Sequence, residues 1–527
     1  MNNKKIIFLL IGILYFNLSS AQDMTDALRY SFLNPGGSAR LQAIGGAGVS
    51  LGGDPSMVNT NPAAIGMFKS SDLSFTGNLK IANMKGDYLG QTASENRLHF
   101  AIPQIELIIA GQNRNRNSKW KNFSFGIGLN RLADFNKTIF YKGNNGNSSF
   151  SDQYLNLVNG GIDGSIFTDA DNDVNYLADN YHQGVIQAYD SYLIDPPLDN
   201  NGVWTSLPGG VLAQGKSLHQ TNIITTDGGI NEFSLAFAAN YNNKLFIGGG
   251  LFIPSINFDR KKTFKETPKG GDSLLNSYSV ENSLHTDGVG VTGKVGAIYL
   301  INSQWRVGAS VHTPTYYNMH DSYTTTITTS SKDMGVNTST TADYTNGYPD
   351  EYDYSLSTPW RFMGGLSYLF KGTGDAISGG FLTLDYEYVN YGASKFHFNG
   401  DNSTAADKEY ANQLNKNIKE SYKGVSNIRL GGELKFNLLS VRAGFSYMGS
   451  PYEESDLIGS QLKYSLGLGI RKNNFYADLT YTLTDKGEHY DQPYTLNPDY
   501  FPGGNSPKPA LVYGNLSNIY LTIGFRL

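Results

Sequence analysis

Gly288-Val289-Gly290-Val291-Thr292-Gly293 has the G-x-G-x-x-G spacing that cradles a dinucleotide pyrophosphate. That chemistry needs a strand before the glycines and a helix N-terminus after them. Here a strand-like alternation runs on through Tyr299, so no nucleotide site is expected. Asp169, Asp171 and Asp173 imitate the start of a calcium loop, but Val174 occupies the turn position that needs glycine and Asn180 the position of the closing glutamate. An EF-hand loop uses both, so this reads as a solvated acidic loop, and no metal site is expected. The eight histidines are scattered without metal spacing, and neither G-x-S-x-G nor H-E-x-x-H occurs. Without a nucleophile, a paired acid and base, or a cysteine anywhere, no catalytic residue and no cofactor is expected, and the chain does not read as an enzyme.

Other charged residues fall into a pattern. Arg306, Arg429, Arg442, Arg471, Arg526, Lys435 and Lys463, with Asp385, Glu387, Glu433 and Asp478, all alternate with apolar neighbours. Side chains of a strand point to opposite faces in turn, so these charges share the face opposite an apolar one. Two readings follow: an internal ion-pair lattice bracing a wall, or a surface for an acidic head group. The mixed signs favour the lattice, because charges away from water are normally paired.

The elements that carry this pattern number fourteen, over 73–83, 95–105, 121–131, 230–242, 244–258, 287–300, 304–318, 359–371, 379–391, 426–437, 439–448, 461–472, 474–485 and 517–527. The last is the plainest: Ile519, Leu521, Ile523, Phe525 and Leu527 lie on one side and Asn518, Tyr520, Thr522, Gly524 and Arg526 on the other. Tight turns at Asn242-Asn243, Ile301 to Ser303, Leu438 and Asn473 alternate with long polar loops over 132–229, 319–358 and 392–425. Short turns, long loops and an even strand count are the marks of an outer-membrane barrel, the closed sheet that leaves no backbone group unpaired in lipid. The expected fold is therefore all-β, a 14-stranded antiparallel transmembrane barrel, with both termini on the periplasmic side of a Gram-negative outer membrane.

Composition agrees. A net charge of −5 over 527 residues leaves no basic footprint for nucleic acid. With 35 Tyr and 28 Phe there are rings enough for two interfacial girdles. Lys4 and Lys5, an apolar run from Ile6 to Phe16 and then Ser19-Ser20-Ala21 read as a signal peptide over 1–21, the apolar run being too short to span a bilayer as a helix.

Between this leader and the first strand, residues 22–72 show no alternation. Gly and apolar residues interleave from Asn34 to Gly53, followed by Asp54-Pro55-Ser56-Met57 and Asn61-Pro62-Ala63-Ala64-Ile65-Gly66-Met67-Phe68. A compact Gly-rich apolar segment ahead of a barrel is a natural plug. This order of Gly/Ala-rich stretch, Asp-Pro-Ser turn, Asn-Pro-Ala and Met-Phe resembles the hatch of the FadL/TodX-type family, outer-membrane transporters of long-chain fatty acids and other hydrophobic compounds. Trp305-Arg306-Val307-Gly308, Thr358-Pro359-Trp360-Arg361-Phe362, Asp385-Tyr386-Glu387-Tyr388 and Arg442-Ala443-Gly444-Phe445 are similar to strand text of the same family. The loop over 132–229 departs from it by its length, and the chain ends in Leu527 where such barrels often end in Phe.

The resemblance implies a hatch over 22–72 inside a barrel over 73–527, and passive uptake of a hydrophobic, long-chain fatty acid-like compound. The partners are then hydrophobic small molecules or lipids and the lipid of the outer membrane, with a monomer as the working unit. Asn61 and Pro62 are expected to shape and seat the hatch, and Ile65, Met67 and Phe68 to meet a lipid tail or pack inside the barrel. Family members open a lateral gap at a kink in the third strand; the matching residues here are Gly126 and Gly128. Secretion-associated barrels of the PorV type share this architecture and give the alternative reading, in which the long loops handle exported proteins. An open porin is a third reading, which a hatch disfavours.

Overall fold

A computed structural model describes residues 24–34, 36–115, 117–159, 183–196, 203–272, 274–372, 377–398, 404–454, 460–496 and 506–527. Residues 1–21, expected as a leader, and Asp169, Asp171 and Asp173, expected as a solvated acidic loop, lie outside the described residues.

Fourteen antiparallel strands form one closed wall. They are β1 Asp72–Tyr88, β2 Gln91–Gln112, β3 Trp120–Asp134, β4 Leu218–Tyr241, β5 Leu245–Pro268, β6 Leu275–Leu300, β7 Trp305–His312, β8 Arg361–Lys371, β9 Gly379–Asn390, β10 Gly424–Phe436, β11 Leu439–Met448, β12 Gln461–Lys472, β13 Phe475–Asp485 and β14 Ala510–Arg526. Each pairs with the next, and β14 returns to β1 from Asp72↔Arg526 to Asp87↔Leu511, so the sheet closes on itself. All fourteen expected segments are in the wall. Several run much further than alternation suggested: β4, β5 and β6 reach 24, 24 and 26 residues. One expected strand is split, since Thr313-Pro314-Thr315 interrupts the ladder between β7 and a further strand, Tyr316–Ser331. Proline cannot donate to a ladder, which accounts for the break. The Gly288 to Gly293 motif sits in mid-strand in β6, where a Cβ on Gly290 would lie 2.6 Å from the Tyr317 ring.

One end of the barrel carries tight turns. Asn242 and Asn243 both have positive φ, 56° and 54°, which is the geometry of a two-residue hairpin that matches strand twist. At the other end the long loops fold into structure of their own. A strand Lys137–Asn145 and helices Asp152–Asn159, Gln183–Asp190 and Leu207–Ala213 close an apolar core over the tops of β5 and β6, centred on Phe150, Val185, Trp204, Phe264 and Tyr278. Helix Ala405–Ser421 packs its Leu414 and Ile418 inward beside Phe396 and Tyr422.

The outer face between these ends is apolar, with Phe75, Leu251, Val295, Leu384, Leu468, Leu479 and Ile523 all exposed. Rings mark both rims of that band. Trp120 meets Tyr241 at 5.1 Å and Trp305 meets Tyr368 at 4.8 Å at the short-turn end, while Trp360 stacks on Phe362 at 6.3 Å at the long-loop end. A continuous exposed apolar band of this kind is what lipid covers and water does not. Among the described residues no helix is long and apolar enough to cross a membrane.

Inside the wall runs the N-terminal segment. It begins with helix α1, Met24–Ser31, at the long-loop end, where the Tyr422 hydroxyl donates to the Met24 carbonyl at 3.2 Å. It descends through helix α2, Ala39–Ala43, and the 3-10 turns Pro55–Asn59 and Pro62–Met67. It joins β1 at the short-turn end, where the Leu527 N–H donates to the Ser71 carbonyl at 2.9 Å. The expectation that both termini lie on the periplasmic side falls, at the N-terminus, on residues outside the described ones. The wall begins and ends on the short-turn side, but Met24 stands at the opposite mouth, because the segment threads the lumen lengthwise before the wall starts.

Candidate functional site

The N-terminal segment is held by its backbone against a wall stripped of side chains. Three directly opposed glycine pairs, Gly248↔Gly296, Gly308↔Gly365 and Gly431↔Gly444, face inward at the level of the segment. A Cβ on Gly431 would lie 2.5 Å from the Ile44 carbonyl oxygen, and one on Gly248 would lie 2.7 Å from the Ala63 nitrogen. Only a bare Cα admits a second backbone this closely.

Charge completes the seat. Glu433 accepts from Arg40 Nε of the segment at 3.2 Å and from Arg442 Nε of the wall at 2.6 Å, and Arg442 Nη1 also reaches Asp478 at 2.6 Å. The Val49 N–H donates to Asp385 at 2.9 Å, Arg306 donates to the Leu51 carbonyl at 2.7 Å, and Lys463 to Gln42 at 3.1 Å. Arg361 and Arg429 share Glu387. The charged face therefore forms the bracing lattice. Breaking such a buried network is costly because it strands a charge away from water.

Asn61 caps the turn Pro62–Met67: its Oδ1 accepts from the Ala63 N–H at 3.0 Å, and its Nδ2 donates to the Val49 carbonyl at 2.7 Å. Pro62 begins the turn, where a missing N–H is free of cost. Ile65 and Phe68 pack with Ile108, Ala236 and Phe252, and Met67 packs beside Leu51, Ala64 and Phe246. None of these five side chains lines the cavity that remains between segment and wall.

That cavity lies higher, with Tyr30, Ser31 and Leu33 above it, Asn59 and Thr60 below it, and Leu132, Thr292, His312, Tyr317 and Met363 around it. Its charged groups are already matched: Lys294 pairs with Glu232, and Arg361 with Glu387 at 2.9 Å. The Thr60 carbonyl accepts from His312 Nε2 at 3.1 Å. The cavity is thus a mixed apolar and neutral-polar space. Sequence reading missed Tyr30, Asn59 and Thr60, which lie in stretches without alternation; the inward glycines were the available signal.

Beside the cavity the wall changes. β2 and β3 pair only from Gln104↔Asn130 to Gln112↔Asn122. Above that level β2, from Gln91 to Ala101, keeps its pairing with β1, while the strand Lys137–Asn145 that continues β3 bonds to β4. The β2–β3 ladder therefore ends in a seam beside Asn130 and Leu132, where Lys137–Asn145 lies against β1, a Cβ on Gly86 standing 2.8 Å from the Phe140 carbonyl oxygen, and where Arg97 Nη1 donates to the Thr226 carbonyl at 2.8 Å while its guanidinium pairs with Asp227. On the inner side, the Asn34 N–H donates to the Leu132 carbonyl at 3.0 Å. The kink expected at Gly126 and Gly128 is corrected: the ladder passes through both residues on both sides without a shift, and the irregularities of β3 fall at Trp120/Asn122 and Arg131/Ala133. Gly126 instead makes room for Ile65, whose Cδ1 would stand 3.2 Å from an added Cβ, and Gly128 makes room for Glu106.

Among the described residues no three His, Asp or Glu side chains gather as a metal site. No family profile matches the chain, and no curated protein does. Among the solved structures that share its fold are two. One is the toluene transporter TodX of P. putida, at 12% identity and a TM-score of 0.51, covering 93% of this chain and 99% of that one. The other is a FadL homologue of Pseudomonas aeruginosa, at 13% identity and a TM-score of 0.53, covering 94% and 99%. The chain has the fold of FadL/TodX-type barrels.

Proposed function

We propose that this chain is an outer-membrane transporter for passive uptake of hydrophobic compounds, long-chain fatty acid-like in kind, through a barrel closed by its own N-terminal hatch. The carrying observation is the cavity between segment and wall that abuts the β2–β3 seam at Asn130 and Leu132. A lumen filled by residues 24–68 opposes free diffusion of ions. A side passage beside an apolar outer face, with Leu98, Phe100 and Ile102 exposed on β2, suits cargo that partitions into lipid. The fold shared with a toluene transporter supports the same reading.

In this reading residues 1–21 direct export, 22–72 form the hatch and 73–527 the transmembrane barrel of a monomer, with the short turns in the periplasm and the long loops outside. Cargo reaches the cavity when the segment shifts, and leaves through the seam down its own gradient. The test is uptake of radiolabelled palmitate by outer-membrane-bearing cells with and without the gene. Uptake that depends on the gene is expected; unchanged uptake overturns the fatty acid reading. Copurification of secretion subunits with the full chain would favour the protein-handling alternative.

A further inference from the structure

The structured loops at the long-loop end hold a second cavity, apart from the one between segment and wall. One side of it is the inner face of β6 and of the strand Tyr316–Ser331, at Asn282 and Tyr323. The other side is the helix pair Asp152–Asn159 and Gln183–Asp190, which supplies Gln153, Tyr154 and Gln183. Tyr154 shares a helix face with Val158, four residues on, and both pack in the loop core. Gln183 and Gln187 stand one turn apart on the second helix, so both amides meet the cavity. Among the described residues no charged side chain lines it.

Some of its polar groups are matched within the protein. The Tyr323 hydroxyl donates to Asn282 Oδ1 at 2.8 Å, the Thr325 hydroxyl donates to the same oxygen at 2.9 Å, and Gln187 Nε2 donates to the Thr325 carbonyl at 3.1 Å. Others are not. Gln153 and Tyr154 are each only 5% exposed, yet neither the Gln153 amide nor the Tyr154 hydroxyl has a hydrogen-bond partner among the described residues. The Gln183 amide and Asn282 Nδ2 have none there either. Polar groups withdrawn from water are normally bonded, because an unmade bond forfeits hydration without replacement. Four such groups converging on one space mark it as built for something polar.

We propose that this cavity binds one unit of a neutral carbohydrate. Each sugar hydroxyl both donates and accepts, and the free groups here include amides, which do both, a phenol and the Asn282 donor. A sugar ring also has a C–H face, weakly positive, that suits the negative face of an aromatic ring. Phe150 and Tyr154 both line the space, their centroids 6.0 Å apart. With no charged side chain in the lining, an acidic or phosphorylated sugar would enter without a counter-charge. An apolar molecule would leave the amides unbonded, so the site lies off the route proposed for hydrophobic cargo and stands independently of it.

The test is saturation-transfer NMR titration of the methyl glycosides of glucose, galactose, mannose and N-acetylglucosamine on the full-length protein in nanodiscs, with empty discs subtracted. At least one glycoside is expected to bind, and glucuronate, the charged counterpart, to bind at least about tenfold more weakly than that glycoside. Q153L and Y154F are each expected to weaken binding roughly 2- to 12-fold, the scale of one neutral hydrogen bond. Neither variant loses a bond within the protein, so both are expected to melt no lower than wild type. Competition by a polysaccharide of the bound sugar identifies a glycan chain as the source, and its failure a free sugar; both support the site. Four results would each overturn the proposal: no glycoside bound, which leaves the cavity to water alone; binding unchanged in both variants; glucuronate held as tightly as the glycoside; or a lower melting temperature in both variants, which would give the two groups a structural role.

Discussion

Replacing Gly431 or Gly248 with Ala inserts one methyl between wall and hatch. At Gly431 the new Cβ would stand 2.5 Å from the Ile44 carbonyl oxygen, and at Gly248 it would stand 2.7 Å from the Ala63 nitrogen. Ordinary contact begins near 3.4 Å, so the backbones must part by about 0.9 Å and 0.7 Å respectively. The neighbours are main-chain atoms, which cannot rotate away as a side-chain tip can. Overpacking of this kind costs about 1–3 kcal/mol, which raises the undocked population roughly 5- to 150-fold. The chain has no cysteine, so a single Ala47→Cys, fully buried in the docked segment, serves as a reporter. Its rate of maleimide labelling in outer-membrane vesicles reads the undocked fraction. Gly364→Ala is the control, since nothing lies within 4 Å of a Cβ there. The reporter should label faster in G431A and G248A than in G364A, while heat-modifiable migration on gels confirms an intact barrel in all three. Equal rates in the three variants would refute the view that the glycine pairs seat the hatch.

Two further outcomes follow from charge. Glu433→Gln leaves Arg40 and Arg442 facing a neutral amide at a site with almost no solvent, so the urea midpoint of the refolded protein should fall by an amount equivalent to about 3 kcal/mol; an unchanged midpoint would sink the anchoring role. At the outermost end of β5, under the loop core, burial pushes the Glu266 carboxyl up to about 7 against an ordinary 4.5, despite bonds from Ser149, Tyr278 and Gln220. A raised carboxyl binds its proton more tightly when folded, so the loop core has its full stability below pH 4.5 and loses about 3 kcal/mol as pH rises to 7. Proteolysis of the loops between Gly146 and Gly215 should therefore quicken between pH 5 and pH 8 in wild type and not in E266Q; a flat wild-type profile would count against the buried acid.

The fourteen strands were legible because one face of each meets an apolar band and the other the filled lumen, which imposes strict alternation. Leu468, Leu479 and Ile523 point out while Asp478 and Thr522 point in. Strand ends were not legible, since beyond the band both faces of β4 from Leu218 to Gly229 meet polar or protein surroundings and the period fades while the ladder continues. The N-terminal segment was legible as a stretch without strand alternation, but not its path, because contacts such as Val49 with Asp385 span 336 residues. Gly126 and Gly128 read as a bend, whereas here they are clearance for Ile65 and Glu106, a distinction that only tertiary neighbours make. The loop over 132–229 gave no periodic signal, and its helices are held by Phe264, Tyr278 and Tyr494, residues far away in the chain.

The opposed glycines also govern how the bore can change. A tube lined by large side chains can be throttled by rotamer flips one residue at a time, on a nanosecond scale. At the level of Gly248, Gly308 and Gly431 the lining is hydrogen atoms, and the space is occupied by a separate ribbon. The calibre there has few intermediate settings: it is narrow while the ribbon is seated and as wide as the backbone cylinder when it is displaced. In the proposed transporter, selectivity at that level would depend on the energy of moving one ribbon, and substitutions of exposed loop residues should leave it untouched.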